Sequence, residues 1–548
     1  MSLEDCTRFP GKHCTDANYL GTWSRLASLI GPTRISGISM AQGLASIDYI
    51  IIAVYMAGVM FVGMYFARYI RSAGDLFLGG RSLPFWAIGM SMVVSDIGAS
   101  DLINGAGAAY DRGLAQANWD WIGSVPALLL AAFLFVPYYW RAGVYTLPEF
   151  LGRRYNGVTR WSLASVLLLF MATTLSILLW TSAVFMEKVL GWEPIVAIWV
   201  TALIVGIYTV SGGMAAVVMT DVIQLIVMFV GLASLLALGF WEVGGWSGLV
   251  QAISAQPTAS QDYFRLLHAH TPETEYPWTG MVFSLGIVMS TGYYVGNQAV
   301  MQRALGARTE WDAKAGVLTA GIFKMAVPVL VFIPGMIARA LVPEMEQHDA
   351  AIPTLINRLM PPGLKGLMFA AFFAALMSSV DSYLNSCVTI FSGDFFRPIY
   401  RVTTGKQVAD RLAMIVGRIM TAGVLIFAAW LAPAFRSVET LYDVLQTLLS
   451  LFQGPTLAIL LLGIFWRGAT GWGGCAGLLV GFCLTFGLTE LGPAVFMSKT
   501  AYLYVSFWSF LASLLVTVTV SLLTPRDSDE KLKGLVYESV VSSDTDGS

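Results

Sequence analysis

The chain of 548 residues is 56% hydrophobic and only 12% charged, with a formal net charge of -2 and a mean hydropathy of +0.69. A soluble protein of this length would carry about twice that charge and could not hide so much apolar surface. No basic patch or aromatic–basic stripe points to nucleic acid.

Runs of twenty or so apolar residues recur from Ile47 almost to the C-terminus, each able to cross ~30 Å of hydrocarbon as a helix. The expected fold is an all-α polytopic membrane protein. Its thirteen spans are placed at 47–69, 84–110, 116–140, 160–187, 193–210, 212–240, 279–301, 313–342, 364–391, 408–433, 437–466, 471–490 and 500–523. Residues 1–46 form a polar N-terminal tail without the apolar stretch of a signal peptide, and Met40 is a candidate start because residues 40–46 carry no Lys or Arg. Cys6 and Cys14 could pair if that tail is external, whereas Cys387, Cys475 and Cys483 read as apolar fillers. Residues 47–523 make up the membrane-spanning domain, and 524–548 a solvated tail. Placing the first span's N-terminus outside puts nineteen Lys and Arg residues, Arg303 among them, in cytoplasmic segments against eight in external loops. The positive-inside rule then gives an external N-terminus and a cytoplasmic C-terminus in a plasma (inner) membrane.

Two spans five apart are interrupted by polar residues: "VVSDIGASDLINGAG" (93–107) and "MSTGYYVGNQ" (289–298). Paired interruptions predict an inverted-repeat transporter with a midplane site on broken helices; the competing reading is that the small residues only allow close packing. The ninth span carries "AALMSSVDSYLNS" (374–386). Ala375, Ser378 and Ser379 share one helix face there, and two hydroxyls plus a carbonyl supply neutral oxygens for Na⁺. Carbonyls of Val94 and Ile97 at the break would complete a cage. Asp381 and Ser382 lie one turn further on, where a second cage sharing Ser378 could be closed by a carboxylate. Asp221, in the sixth span, needs a cation and is the natural partner for that second site. Lys324, in the eighth, is read as the lone Lys or Arg outside loops and tails, with Asp101 and Asp120 as candidate partners. Together with Gln446 these donors and acceptors suit a polyhydroxylated ligand, over which Tyr293 or Tyr294 could stack or close.

Five motifs in order, "FLGGRSLPFWAIGMS", "YTLPEFLGRRYN", "SGGMAAVVMTDVIQ", "NQAVMQRALGAR" and "AALMSSVDSYLNS", identify a resemblance. From about residue 47 to 470 the chain resembles the sodium/solute symporter family, and within it the bacterial sodium–galactose symporter and animal sodium–glucose cotransporters. The resemblance implies a LeuT-like core of two inverted five-helix repeats (about 84–240 and 279–466), with one extra helix before it and two after. It implies a first sodium site at Val94, Ile97, Ala375, Ser378 and Ser379. A second would use Asp221, Ser378, Asp381 and Ser382, with Asp381 replacing a small or hydroxylated residue, so that site would hold Na⁺ more tightly or take a proton. Lys324 and Gln446 match the sugar-binding Lys and Gln, and Tyr293 the gating tyrosine. Asp120 replaces a Glu, Asp101 a Gln or His, Ser290 an Asn and Gly123 a Ser.

The expected function is sodium-coupled symport of a glucose-, galactose- or inositol-like solute, with Na⁺ as coupling ion, no organic cofactor and no enzymatic step. The alternatives are a sodium symporter for an amino acid, carboxylate or organic cation, and a sugar-binding sensor or conductance without coupled transport.

Overall fold

The computed structural model describes residues 44–209, 213–257, 260, 262–271, 274–438, 441–496 and 498–536. Met40, Cys6 and Cys14 lie outside the described residues, as does the end of the C-terminal tail from residue 537.

A helix stands at each of the thirteen expected spans. α1 (Ser46–Ala67) precedes a broken span, α2 (Phe85–Asp96) and α3 (Asp101–Ala117), bent by 63°. There follow α4 (Trp119–Ala142), α5 (Gly157–Leu190), α6 (Pro194–Thr209) and α7 (Met214–Val243). After a long connection come α8 (Gly280–Gly296), α9 (Glu310–Leu341), α10 (Leu364–Thr404) and α11 (Asp410–Leu431). The last three are α12 (Leu441–Phe465), α13 (Gly471–Phe496) and α14 (Ala501–Leu523). Among the described residues ten helices are long and apolar enough to cross a membrane alone, the bent α2–α3 pair makes an eleventh, and α6 and α8 are shorter. Among the described residues there is no strand, only isolated bridges such as Leu83 with Ala307.

Burial follows sequence. In α10 every residue from Met368 to Leu384 is buried, serines and Asp381 included, so this helix is the central post. In α1 the opposite holds: Ile50, Val54, Phe61 and Met64 are exposed, as a lipid-facing helix requires.

The expected break in the second span occurs at Ile97, whose ψ of 81° stops α2. Asp101 Oδ2 then accepts from the Gly98 amide (3.0 Å) as α3 starts. Gly98 is required for close approach, since a Cβ there would lie 2.9 Å from Ser379 Oγ on α10. The second interruption behaves differently. Ser290, Thr291 and Gly292 continue a helix that begins with a π-helical stretch at Gly280–Met289, and the chain leaves helical geometry only at Asn297. Gly292 lets the Gln453 backbone of α12 approach, so close packing is what this glycine supplies.

Four cations assigned to loops, Arg154, Arg303, Arg339 and Lys365, are in fact buried. Arg154 is fully buried and donates to the Gly463 (2.7 Å) and Trp466 (3.1 Å) carbonyls at the end of α12. With Tyr155 and Asn156, which bond Ile459 and Gly471, it latches α12 to the start of α13. Arg303 is 1% exposed and faces the interior. Lys324 is therefore not the lone interior cation, and the correction matters for the second cation site.

Candidate functional site

A cavity of about 110 Å³ opens where the α2–α3 break meets α4, α5, α8, α9, α10 and α12. The charged residues lining it are Asp96, Asp101, Asp120 and Lys324. Lys324 Nζ, on α9, lies 2.6 Å from Asp96 Oδ2 and 2.9 Å from Asp120 Oδ1, and Tyr294 donates its hydroxyl to the same Asp96 oxygen (2.7 Å). All three elements deliver buried charge to one point, so the ammonium is paired as the low dielectric demands.

The expected partner Asp120 is thus in place, whereas Asp101 is engaged at the Gly98 amide and Asp96 takes its position beside Lys324. The sequence shows Asp96 and Asp101 only as two acids in one interruption. The break sends the first toward α9 and turns the second into the start of α3, a choice no spacing rule makes.

Ser290, Gln446, Tyr293 and Tyr294 line the same cavity, the two tyrosines packed edge to face with centroids 5.2 Å apart. Gly123 faces Ser290, where a Cβ would lie 2.5 Å from its Oγ. Residues that the sequence did not single out complete the lining, notably Trp119, Thr174, Tyr442 and Gln453. Gln453 stands two helical turns from Gln446 on α12, and that periodicity was the available signal. Thr174 Oγ1, Gln453 Oε1 and Trp119 Nε1 are buried without a hydrogen-bond partner.

Below the cavity, α10 meets the end of α2. Ser378 Oγ donates to the Val94 carbonyl (2.9 Å) and the Ala375 carbonyl (3.0 Å), and Ser379 Oγ to the Ser95 carbonyl (3.1 Å). The structure therefore brings Val94, Ala375, Ser378 and Ser379 together at the break marked by Ile97, and adds Ser95. The Val94 and Ser95 carbonyls belong to the last turn of α2, where helical partners run out and the dipole is negative.

The other proposed cage is divided. Asp221 Oδ2 accepts from Ser91 and from Ser95 (3.3 Å), and pairs with Arg303 Nη2 at 3.1 Å. Arg303 also donates to Ser382 Oγ. The cation that Asp221 needs is a guanidinium of the chain itself. Asp381 turns to another neighbour, accepting from Thr209 Oγ1 of α6. Asp221 Oδ1, the Gln224 amide and the Tyr55 hydroxyl are left without partners in the adjoining interior.

One end of the cavity is roofed by aromatics: Trp119 packs edge to face on Tyr442 (5.6 Å) and Tyr276 (6.2 Å). Arg112 ties this roof, donating to Tyr276 (2.6 Å) and pairing with Asp443 (2.9 Å) and Glu275.

Residues 76–481 match the model of the sodium:solute symporter family. The chain belongs to that family. The symporter is 32% identical to the sodium/glucose cotransporter 1 of Oryctolagus cuniculus, over 89% of this chain and 81% of that one. It is 31% identical to the sodium/myo-inositol cotransporter of Canis lupus familiaris, over 91% and 76%. Among solved structures, a substrate-bound outward-open Na⁺-coupled sialic acid symporter superposes with a TM-score of 0.77 at 20% identity, covering 88% of this chain and 99% of that one. The symporter thus has the expected LeuT-like fold, and it is a multi-pass membrane transporter rather than an enzyme.

Proposed function

We propose that this symporter couples Na⁺ entry to import of a sugar or polyol by alternating access. The observation that carries the reading is the meeting of Ser378 and Ser379 with the broken end of α2, directly beneath a cavity rich in hydrogen-bonding groups. The names of its relatives, sodium/glucose and sodium/myo-inositol cotransporters, support the same solute class.

In this reading Na⁺ binds between Val94, Ile97, Ala375, Ser378 and Ser379. The two hydroxyls now donate to carbonyls. Turning their protons away would present oxygen lone pairs alongside those carbonyls, which a hard monovalent cation requires. The bound ion braces α2 against α10 and so favours the state in which the cavity accepts solute. Coupling follows because each ligand prefers that state, and the preference is reciprocal. One Na⁺ entering down ~100 mV and a roughly tenfold gradient releases about 3.7 kcal/mol, enough for several-hundredfold accumulation.

Above the ion, Lys324, Asp120, Asp101, Ser290 and Gln446 hydrogen-bond the solute, and Tyr293 closes over it. A second cation, where one is coupled, would call on Asp221, whose Oδ1 is unpartnered, and on Ser378, Asp381 and Ser382. The N-terminus faces outside and the C-terminus the cytoplasm of a plasma (inner) membrane. Uptake of radiolabelled glucose, galactose and inositol into proteoliposomes, with and without an inward Na⁺ gradient, tests this. Accumulation above equilibrium that collapses without Na⁺ is expected. Binding without accumulation would instead mark a sensor or conductance.

A further inference from the structure

In formal charge, the residues around the cavity do not balance. Three carboxylates, Asp96, Asp101 and Asp120, face one ammonium, Lys324, and no other charged residue lines the cavity among the described residues. Lys324 is shared between Asp96 and Asp120, at 2.6 and 2.9 Å. Asp101 has the Gly98 amide as its hydrogen-bond partner. The start of α3 adds a partial positive charge there, but not a whole unit. Buried charge in such a site is paired or it is used.

A Na⁺ at the end of α2 would cancel one excess charge and leave one. The same cavity also holds three buried polar groups without partners: Thr174 Oγ1, Gln453 Oε1 and Trp119 Nε1. Thr174 and Gln453 are 2% and 3% exposed, so bulk water does not satisfy them. Two of these three can accept a hydrogen bond and two can donate one, which is the complement a hydroxylated ring presents.

Resting on the sugar or polyol reading above, we infer that the preferred solute of this symporter carries a protonated amine as well as hydroxyls, an amino sugar or amino polyol, with Asp101 receiving the ammonium. One Na⁺ and one ammonium then neutralise the cavity. The hydroxyls of the solute meet Gln446, Gln453 and Thr174, while Lys324 stays neutralised by its two aspartates and does not repel the cation.

The test is calorimetric binding to the purified full-length protein in Na⁺ at neutral pH, with glucosamine, N-acetylglucosamine, glucose and myo-inositol as probes. N-acetylglucosamine keeps the ring and removes the charge. Glucosamine is expected to bind at least about tenfold more tightly than the three neutral probes, and Asp101→Asn to bring the four within about twofold of one another. Equal or tighter binding of any neutral probe overturns the inference while leaving the sugar or polyol reading intact, as does a glucosamine preference that survives Asp101→Asn. Should that variant fail to fold, the wild-type comparison decides alone. Failure of all four probes overturns the underlying reading as well.

Discussion

Arg303 reaches Asp221 across the interior, its guanidinium Nη2 3.1 Å from the carboxylate Oδ2, with both side chains at most 1% exposed. The pair joins the helix Gln298–Leu305 to α7 and, through Ser91, Ser95 and Ser382, to α2 and α10. It thus ties four helices together in the interior.

Removing one member leaves a buried uncompensated charge, which costs ~3–5 kcal/mol. Arg303→Met should lower the thermal unfolding midpoint of the detergent-purified protein by several degrees. Adding Asp221→Asn should recover most of that loss. An unchanged midpoint in the single variant would show that the pair bears no such burden.

Ser379→Ala removes an oxygen from the junction of α10 with the end of α2, where Ser379 now bonds the Ser95 carbonyl at 3.1 Å. The Na⁺ concentration for half-maximal uptake should rise about tenfold or more, equivalent to ~1.4 kcal/mol of lost binding. Uptake titrated against Na⁺ reads this directly, and an unshifted curve removes Ser379 from the ion site.

Lys324→Ala leaves Asp96 and Asp120 facing each other without their shared ammonium. Solute binding should be lost, while Na⁺ binding, followed by intrinsic tryptophan fluorescence, should persist. Wild-type solute affinity in that variant counts against the cavity as the solute site.

Gly123→Ser places a Cβ 2.5 Å from Ser290 Oγ, so the two side chains cannot coexist in the present packing. Solute affinity should fall about tenfold in the single variant and largely return in Gly123→Ser with Ser290→Gly. A single variant with normal affinity would mean that Ser290 moves aside without consequence.

Asp349, in the connection between α9 and α10, is held up to about 6 by burial and by the nearby Asp443 carboxylate, with Arg112 opposing. Its folded value lies above the ordinary carboxyl value of 3.8, so the folded state holds the proton more tightly. Stability from this group is therefore full below about pH 4 and falls as pH rises to about 6. Thermal midpoints measured from pH 4 to 7 should show this decline, and Asp349→Asn should flatten it. A slope that persists in the variant assigns it to other groups.

Much of the fold was legible before any coordinates. Apolar runs of span length fell on a helix in each case, because a chain in hydrocarbon must satisfy its backbone within each span. The serines of α10 and the α2 break were legible too, since polar residues in a membrane helix stand out against their background. Gly292 and Arg303 show where that contrast misled: the glycine serves packing, and the arginine sits inside rather than in a loop.

The amino-acid sequence by itself determined the membrane class, the places of the apolar helices and the hydroxyl-rich face of α10, because these depend on local composition and period. Tertiary structure alone decided which aspartate meets Lys324, that Asp221 is paired with Arg303, and that Gln453 and Thr174 face the cavity. Those pairings join residues far apart in the chain, and they are set by the 63° bend and the close approach of glycine-faced helices, which no local pattern encodes.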